Sequence, residues 1–294
     1  MHDNESLTGV FEAHRGQLRA VAYRMLGSVS EADDAVQEAW IRLNRADTAD
    51  VQNMGGWLTT VVARICLNLL RSRETRREEP LAERLPDPVV SRADGMDPEQ
   101  EALLADSVGL ALLVVLQRLE PTERLAFVLH DMFAVPFDEI AAVIGRSSAA
   151  TRQLASRARR RVRGAAAERP DPDLARQRAA VDAFLAAARD GDFEALVAVL
   201  HPDVELRADS GPAAAMPWSE LRGAITVAEQ AVMFSRMSDY AFPVLVNGAA
   251  GVLLARNGTA FTVGVLTVVD GRIRSIDILA DPARVGRLDV AALT

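Results

Sequence analysis

The sequence predicts a multidomain chain: two all-α blocks followed by an α+β domain. Three observations carry that prediction. The length, 294 residues, suits two to three domains at about 100–200 residues each. Apolar residues recur at three- and four-residue spacing through roughly the first 166 positions, then switch to alternation after Val204. Proline-rich, charged stretches at 78–98 and 170–173 separate the blocks.

The first block, 7–77, reads as helices. Leu7, Val10, Phe11, His14, Leu18, Val21 and Met25 make one helical stripe, and Gly27 stops it. Ser28 with Glu31, or Ser30 with Asp33, supplies an N-terminal cap for a second helix through Val36, Ala39, Trp40 and Leu43. A polar stretch from Arg45 to Gly56 interrupts the periodicity before a third helix, Trp57 to about Arg73. Pro80, Pro86, Pro88 and Pro98 exclude a continued helix, so 78–98 reads as an extended, tethering linker. The second block, 99–166, carries a stripe of Leu103, Val108, Leu112, Val115 and Leu119, and Pro121 suits the start of a further helix.

The third domain, 174–285, opens with a helix bearing Leu174, Val181, Phe184, Leu185 and Ala188, then a Gly191-Asp192 break and a shorter helix to Leu200. Val204, Leu206 and Ala208 alternate with Glu205 and Arg207, as in a strand. Apolar runs at 251–256, 260–269 and 272–279 are separated by Asn257-Gly258 and Asp270-Gly271, both hairpin-turn dipeptides.

At 49% hydrophobic, 25% charged and 5% aromatic, the composition is that of an ordinary globular protein, and a net charge of −8 taken whole argues against a nucleic-acid partner. The local charge reverses that reading. Between Ile140 and Ala167 lie seven arginines and no acid, whereas 171–294 carries 11 arginines against 16 acids, a net of −5. All 33 basic residues are arginine, which fits either a GC-rich genome or a preference for bidentate phosphate contacts. The single cysteine, Cys66, excludes an internal disulfide and has no metal-ligand neighbours, so neither a metal nor a cofactor is expected. The first residues lack the basic start and apolar core of a signal peptide, and no apolar run reaches the ~20 residues of a membrane span, so a cytoplasmic protein without membrane contact is expected.

Residues 137–154 have the spacing of a helix-turn-helix. Phe137, Ile140, Ala141 and Ile144 form a short apolar face, Gly145 permits the turn, Ser147 or Ser148 can cap the second helix, and Ala150, Leu154 and Ala158 anchor it. Arg152, Gln153, Ser156 and Arg157 then point outward, with chemistry suited to base edges, while Arg159 to Arg163 suit phosphates. The plainer alternative is an amphipathic helix with a solvated arginine face.

Two further motifs lie upstream. Asp33-Asp34-Ala35-Val36-Gln37-Glu38-Ala39-Trp40-Ile41-Arg42-Leu43 resembles the core-polymerase-binding helix of bacterial extracytoplasmic-function (ECF) sigma factors. Trp57 to Arg64, with Asn68 and Arg71, resembles the helix behind their minus-ten recognition, and Leu119 to Arg124 with the helix-turn-helix is similar to their region four. The resemblance covers nearly all of 7–166. It implies that Asp33, Asp34, Gln37 and Glu38 bind core RNA polymerase through its beta and beta-prime subunits. Asn53, Trp57, Arg64, Asn68 and Arg71 would serve the minus-ten region of promoter DNA. Ser148, Arg152, Gln153, Ser156, Arg157, Arg160 and Arg161 would read the minus-thirty-five element. In the family the loop before the third helix holds a flipped base, whose unpairing is offset by pocket contacts. Read on residues alone, the acidic patch could equally be a capped, solvated helix start, and Trp57 either a stacking or a core residue.

The third domain resembles the cone-shaped α+β module of the SnoaL-like, NTF2-like class, through Gly191-Asp192-Phe193 and Leu200-His201-Pro202-Asp203-Val204. An ECF subgroup of sigma I and J type carries such a tail and needs no separate membrane anti-sigma protein; the tail, through intramolecular contacts with the sigma domains or linker, modulates polymerase binding. The subgroup's Trp-Leu-Pro-Glu-Pro corresponds here to Arg84-Leu85-Pro86-Asp87-Pro88, its glycine-rich motif to Asp209-Ser210-Gly211-Pro212, and its late Asn-Pro-Asp-Lys to Asp281-Pro282-Ala283-Arg284. Some relatives of the cone fold are enzymes, and His201, Asp209, Tyr240 and Asp277 are the titratable groups available for such work. No clear acid and base pair stands out, so a non-enzymatic sigma factor is expected. The alternative is a stand-alone helix-turn-helix regulator with a ligand-sensing domain, against which the 33–43 motif weighs.

Overall fold

The computed structural model describes residues 2–48, 51–76, 84–95, 109–165, 170–233 and 235–293. Leu103, Val108, Arg77, Pro80, Pro98 and part of the 47–56 loop lie outside the described residues. The chain divides into two units. One comprises Met1–Ala82, Pro98–Asp106 and Leu112–Ala166; the other comprises Glu83–Asp97, Ser107–Ala111 and Ala167–Thr294.

In the first unit, α1 (His2–Leu26), α2 (Val29–Leu43) and α3 (Met54–Arg76) pack around Leu18, Val21, Met25, Val36, Leu43, Leu58 and Val62, all buried. The apolar stripes read from the sequence face this core. Two local expectations fail. Ser28 is the N-cap of α2 but makes no side-chain capping bond: its hydroxyl lies 3.2 Å from that of Ser30, and Glu31 ion-pairs with Arg73 of α3. Helix α3 begins at Met54 rather than Trp57, since the Asn53 carboxamide oxygen accepts the Gly56 N–H at 3.0 Å and starts the helix early.

The rest of this unit is built on α4 (Leu110–Gln117, from Leu112 onward), α5 (Pro121–Phe127), a π-helical turn (Val128–Met132), α6 (Phe137–Ile144) and α7 (Ser148–Ala165). Pro121 opens α5, where its missing N–H costs nothing. The α4 stripe is displaced from the expected one: Leu113 and Leu116 are buried, while Leu112 and Val115 are half-exposed. Arg124 on α5, buried to 2% exposure, donates to the carbonyls of Met25 and Gln117 at 2.7 Å each, tying the ends of α1 and α4 together. Its cation is placed where helix C-terminal carbonyls are otherwise orphaned.

The second unit holds one seven-stranded sheet among the described residues, ordered β1-β4-β5-β6-β7-β2-β3. Its strands are β1 (Val90–Arg92), β2 (Leu200–Asp209), β3 (Trp218–Arg222), β4 (Ala241–Val246), β5 (Ala249–Arg256), β6 (Thr259–Val269) and β7 (Arg272–Leu279). Only β2 and β7 pair in parallel. Both predicted hairpins form, with Asn257 and Gly258 at φ 52° and 75°, and Asp270 and Gly271 at 48° and 76°. Such positive pairs match the right-handed strand twist. Helices α8 (Leu174–Asp190), α9 (Phe193–Val199) and α10 (Ala224–Met233) cover one sheet face through Val181, Leu196, Val227, Leu206, Val252 and Ile276. This is the α+β cone. His201 lies within β2 at a bulge, where its Nδ1 accepts the Asp203 N–H at 3.1 Å.

The tethering linker is not free. Val90, Ser91 and Arg92 pair antiparallel with Val246, Leu245 and Val244 as the edge strand β1. Leu85, Pro86 and Pro88 close over Val263, Val265 and Leu279 on the sheet face opposite the helices.

Candidate nucleic-acid interface and linker anchor

On α2 the buried residues Ala32, Ala35, Val36 and Ala39 turn the intervening polar side chains outward. Asp33, Asp34 and Gln37 are exposed and Glu38 is half-exposed. Asp33 pairs with Arg19 at 2.6 Å, and Glu38 with Arg42 at 2.9 Å one turn on. Exposed pairs of this kind contribute about 0–1 kcal/mol and can be exchanged for contacts to a partner.

On α3, Trp57, Arg64, Asn68 and Arg71 follow helical spacing along one side, spanning about 21 Å at 1.5 Å per residue. Arg64, Asn68 and Arg71 are exposed and Trp57 is half-buried. Arg64 reaches the Ala142 carbonyl of α6 at 3.4 Å. Arg73, near the C-terminal end of this helix, is committed to Glu31. Asn53 is exposed, with its carboxamide oxygen engaged in starting α3.

The helix-turn-helix is present as α6 and α7. Gly145 takes φ 75° at the end of α6, and the Ser147 hydroxyl caps α7 by accepting the Ala150 N–H at 3.2 Å. Buried Ile140, Ala141 and Ile144 form the inner face of α6, while Phe137 is half-exposed, stacked on His130 at 3.7 Å and under the Arg152 guanidinium at 5.7 Å. Thr151, Leu154, Ala155 and Ala158 anchor α7, so Thr151 takes the place expected of Ala150. Arg152, Gln153, Ser156, Arg157, Arg160 and Arg161 are all exposed along α7. Ser148 is different: its hydroxyl is buried without a hydrogen-bond partner among the described residues. Arg157 and Arg161 share the buried carboxylate of Glu123, and Arg159 pairs with Asp131 at 2.5 Å. Glu123 escaped the sequence reading because its partners lie 34 and 38 residues away, with no local pattern to mark them.

In the second unit, the three segments matched to subgroup motifs meet at Arg284. Its Nε donates to Asp87 at 2.6 Å, one terminal nitrogen to Asp209 at 2.7 Å and the other to the Leu85 carbonyl at 2.6 Å. Asp209 also accepts the Leu85 and Gly211 N–H groups at 2.9 and 3.1 Å. A side chain on Gly211 would stand 2.6 Å from the Asp281 carboxylate, which explains glycine there. Of the groups weighed for catalysis, Asp209 is thus committed to the linker, and Asp277 is buried against Arg207 at 2.7 Å. Tyr240 lies under the Arg256 guanidinium at 5.3 Å.

Residues 10–76 match Sigma-70 region 2 and residues 109–162 match Sigma-70, region 4. The class is therefore a sigma factor: helices α1 to α3 form its region 2, and α4 to α7, with the helix-turn-helix, its region 4. The chain is 41% identical over 285 residues to the ECF RNA polymerase sigma factor SigJ of Mycobacterium tuberculosis, covering 92% of this chain and 91% of that protein. It is 34% identical over 298 residues to the probable ECF RNA polymerase sigma factor SigI of the same species, covering 96% of each. The crystal structure of M. tuberculosis SigJ superposes with a TM-score of 0.76 at 36% identity, covering 94% of this chain and 97% of that one. The chain belongs to the ECF RNA polymerase sigma factor family, in the form that carries a C-terminal SnoaL-like, NTF2-like domain.

Proposed function

We propose that this ECF sigma factor docks on the beta and beta-prime subunits of core RNA polymerase through Asp33, Asp34, Gln37 and Glu38, and works in the cytoplasm without covalent chemistry of its own. Residues 7–77 engage the minus-ten region, with Arg64, Asn68 and Arg71 toward the strand backbone, and α7 reads the minus-thirty-five element. Residues 174–285 regulate both by holding the linker. Three features support the reading: the outward polar face of α2, the exposed arginines of α3 and α7, and the absence of a helix long and apolar enough to cross a membrane among the described residues. Against catalysis stand the ion pairs that engage Asp209 and Asp277.

The observation that carries the regulatory part is Arg284, which grips Asp87 and the Leu85 carbonyl of the segment joining the two sigma regions. Transcription from a candidate promoter, reconstituted with core polymerase, is compared for the full chain, Arg284→Ala and a chain ending at Ala167. Arg284→Ala and the truncation are expected to shift transcript yield in the same direction. Equal yields from all three would overturn the regulatory role of the tail.

A further inference from the structure

We propose that Glu123 is a positioning residue that sets how selectively α7 reads DNA, by holding Arg157 and Arg161 on one buried carboxylate. The inference rests on α7 being the minus-thirty-five reader. The Glu123 side chain on α5 is only 5% exposed, yet its two partners, one turn apart on α7, remain 47% and 53% exposed. Arg157 Nε donates to Oε1 at 2.8 Å and Arg161 Nη1 to Oε2 at 2.8 Å. Each carboxylate oxygen takes one guanidinium, so the acid fixes both at a set separation while leaving their outer edges open to a ligand.

Packing alone does not call for an acid at this place. Leu125, Leu154, Ala155 and Ala158 already supply buried apolar surface on α5 and α7. A desolvated carboxylate is costly unless paired, and well-packed apolar residues are often at least as stabilising. The charge balance points the same way. Two arginines sharing one carboxylate carry one net positive charge, whereas two unrestrained arginines would carry two and attract phosphate regardless of sequence. Arg159 is restrained in parallel by Asp131, leaving Arg152, Arg160 and Arg163 as exposed cations of the same helix. Glu123 thus trades indiscriminate attraction for geometry, which is what direct readout by arginine requires.

The test uses the full chain assembled with core polymerase. The wild-type holoenzyme first selects its preferred upstream element from promoter duplexes randomised at that position. Binding of wild type and Glu123→Gln to the selected and a scrambled duplex is then measured over a range of salt. Glu123→Gln is expected to tighten binding to the scrambled duplex by about two- to five-fold, because one more cation is available to phosphate. It is expected to lower the selected-to-scrambled ratio by about ten-fold, the scale of one lost arginine contact to a base. In an Arg157→Ala/Arg161→Ala background the same substitution should change neither quantity further.

An unchanged ratio, a parallel loss for both duplexes, or an equal loss in the background without the two arginines would overturn the proposal, since packing alone would explain them. If thermal melting shows that Glu123→Gln does not fold, Glu123→Asp replaces it: the negative charge is kept, so binding to the scrambled duplex should hold while the selected-to-scrambled ratio falls, because the shorter acid cannot reach both arginines. A wild-type holoenzyme with no upstream preference would instead remove the reading of α7, and the proposal with it; that result is visible before any variant is tested.

Discussion

Burial decides the chemistry of Cys66. It lies fully buried in α3, and desolvation pushes its thiol up to about 12 from an ordinary 9.0, so the native side chain is protonated at neutral pH. Iodoacetamide at pH 8 should leave the native chain unlabelled and modify it fully on unfolding; rapid labelling of the folded chain would contradict the placement. The linkage has a definite sign. As pH rises through the window between 9.0 and about 12, the unfolded thiol ionises while the buried one does not, so this group lowers stability progressively there. Buried arginines behave differently because partners meet them. Arg207 is held by Asp277 at 2.7 and 3.1 Å, and Arg124 by helix-terminal carbonyls. These pairings span up to 99 residues of sequence, so neither arginine is distinguishable from a surface one in the primary structure.

Elements whose signals are local were legible, and those made by distant pairing were not. The hairpins at Asn257-Gly258 and Asp270-Gly271 follow from two residues each, and the helix-turn-helix from one glycine between two apolar stripes. Strand β1 has three residues and finds its partner β4 about 150 positions on, so nothing within 78–98 reveals it. Strand β4 carries Pro243 and half-exposed β3 lacks clean alternation, which hid both, although Asn247-Gly248 is a third turn of the same type at φ 51° and 77°. The candidate DNA residues were recognisable as exposed polar positions on helices; which of them are shared with an acid was not. For α7 the structure separates two exposed arginines. Arg152, above the Phe137 ring, is expected on substitution by alanine to relax sequence preference at the upstream element. Arg160→Ala should weaken binding evenly across sequences and reduce the salt slope by about one. Indistinguishable effects in a competition assay would show that the face of α7 has been misassigned.

At the scale of the whole molecule the charge balance changes meaning. Residues 1–170 are near neutral, 22 arginines against 25 acids, with the basic α7 set among them, while the tail carries the remaining net −5. An acidic chain is thus compatible with DNA work when its positive charge is concentrated on one helix and partly neutralised by Glu123 and Asp131. About 160 residues hold the two sigma regions; the final third and part of the linker build one further sheet. Under the proposed function, the DNA-reading helices act together with core polymerase. The most direct measurement is therefore start-site mapping of transcripts made by purified core RNA polymerase, with and without the full chain, on promoter DNA bearing its selected upstream element. Transcripts from one defined start, present only with the chain and lost when Asp34 and Gln37 are both replaced by alanine, are the predicted result. Promoter-specific binding to duplex DNA by the chain alone, with no defined transcript when core polymerase is added, would contradict it.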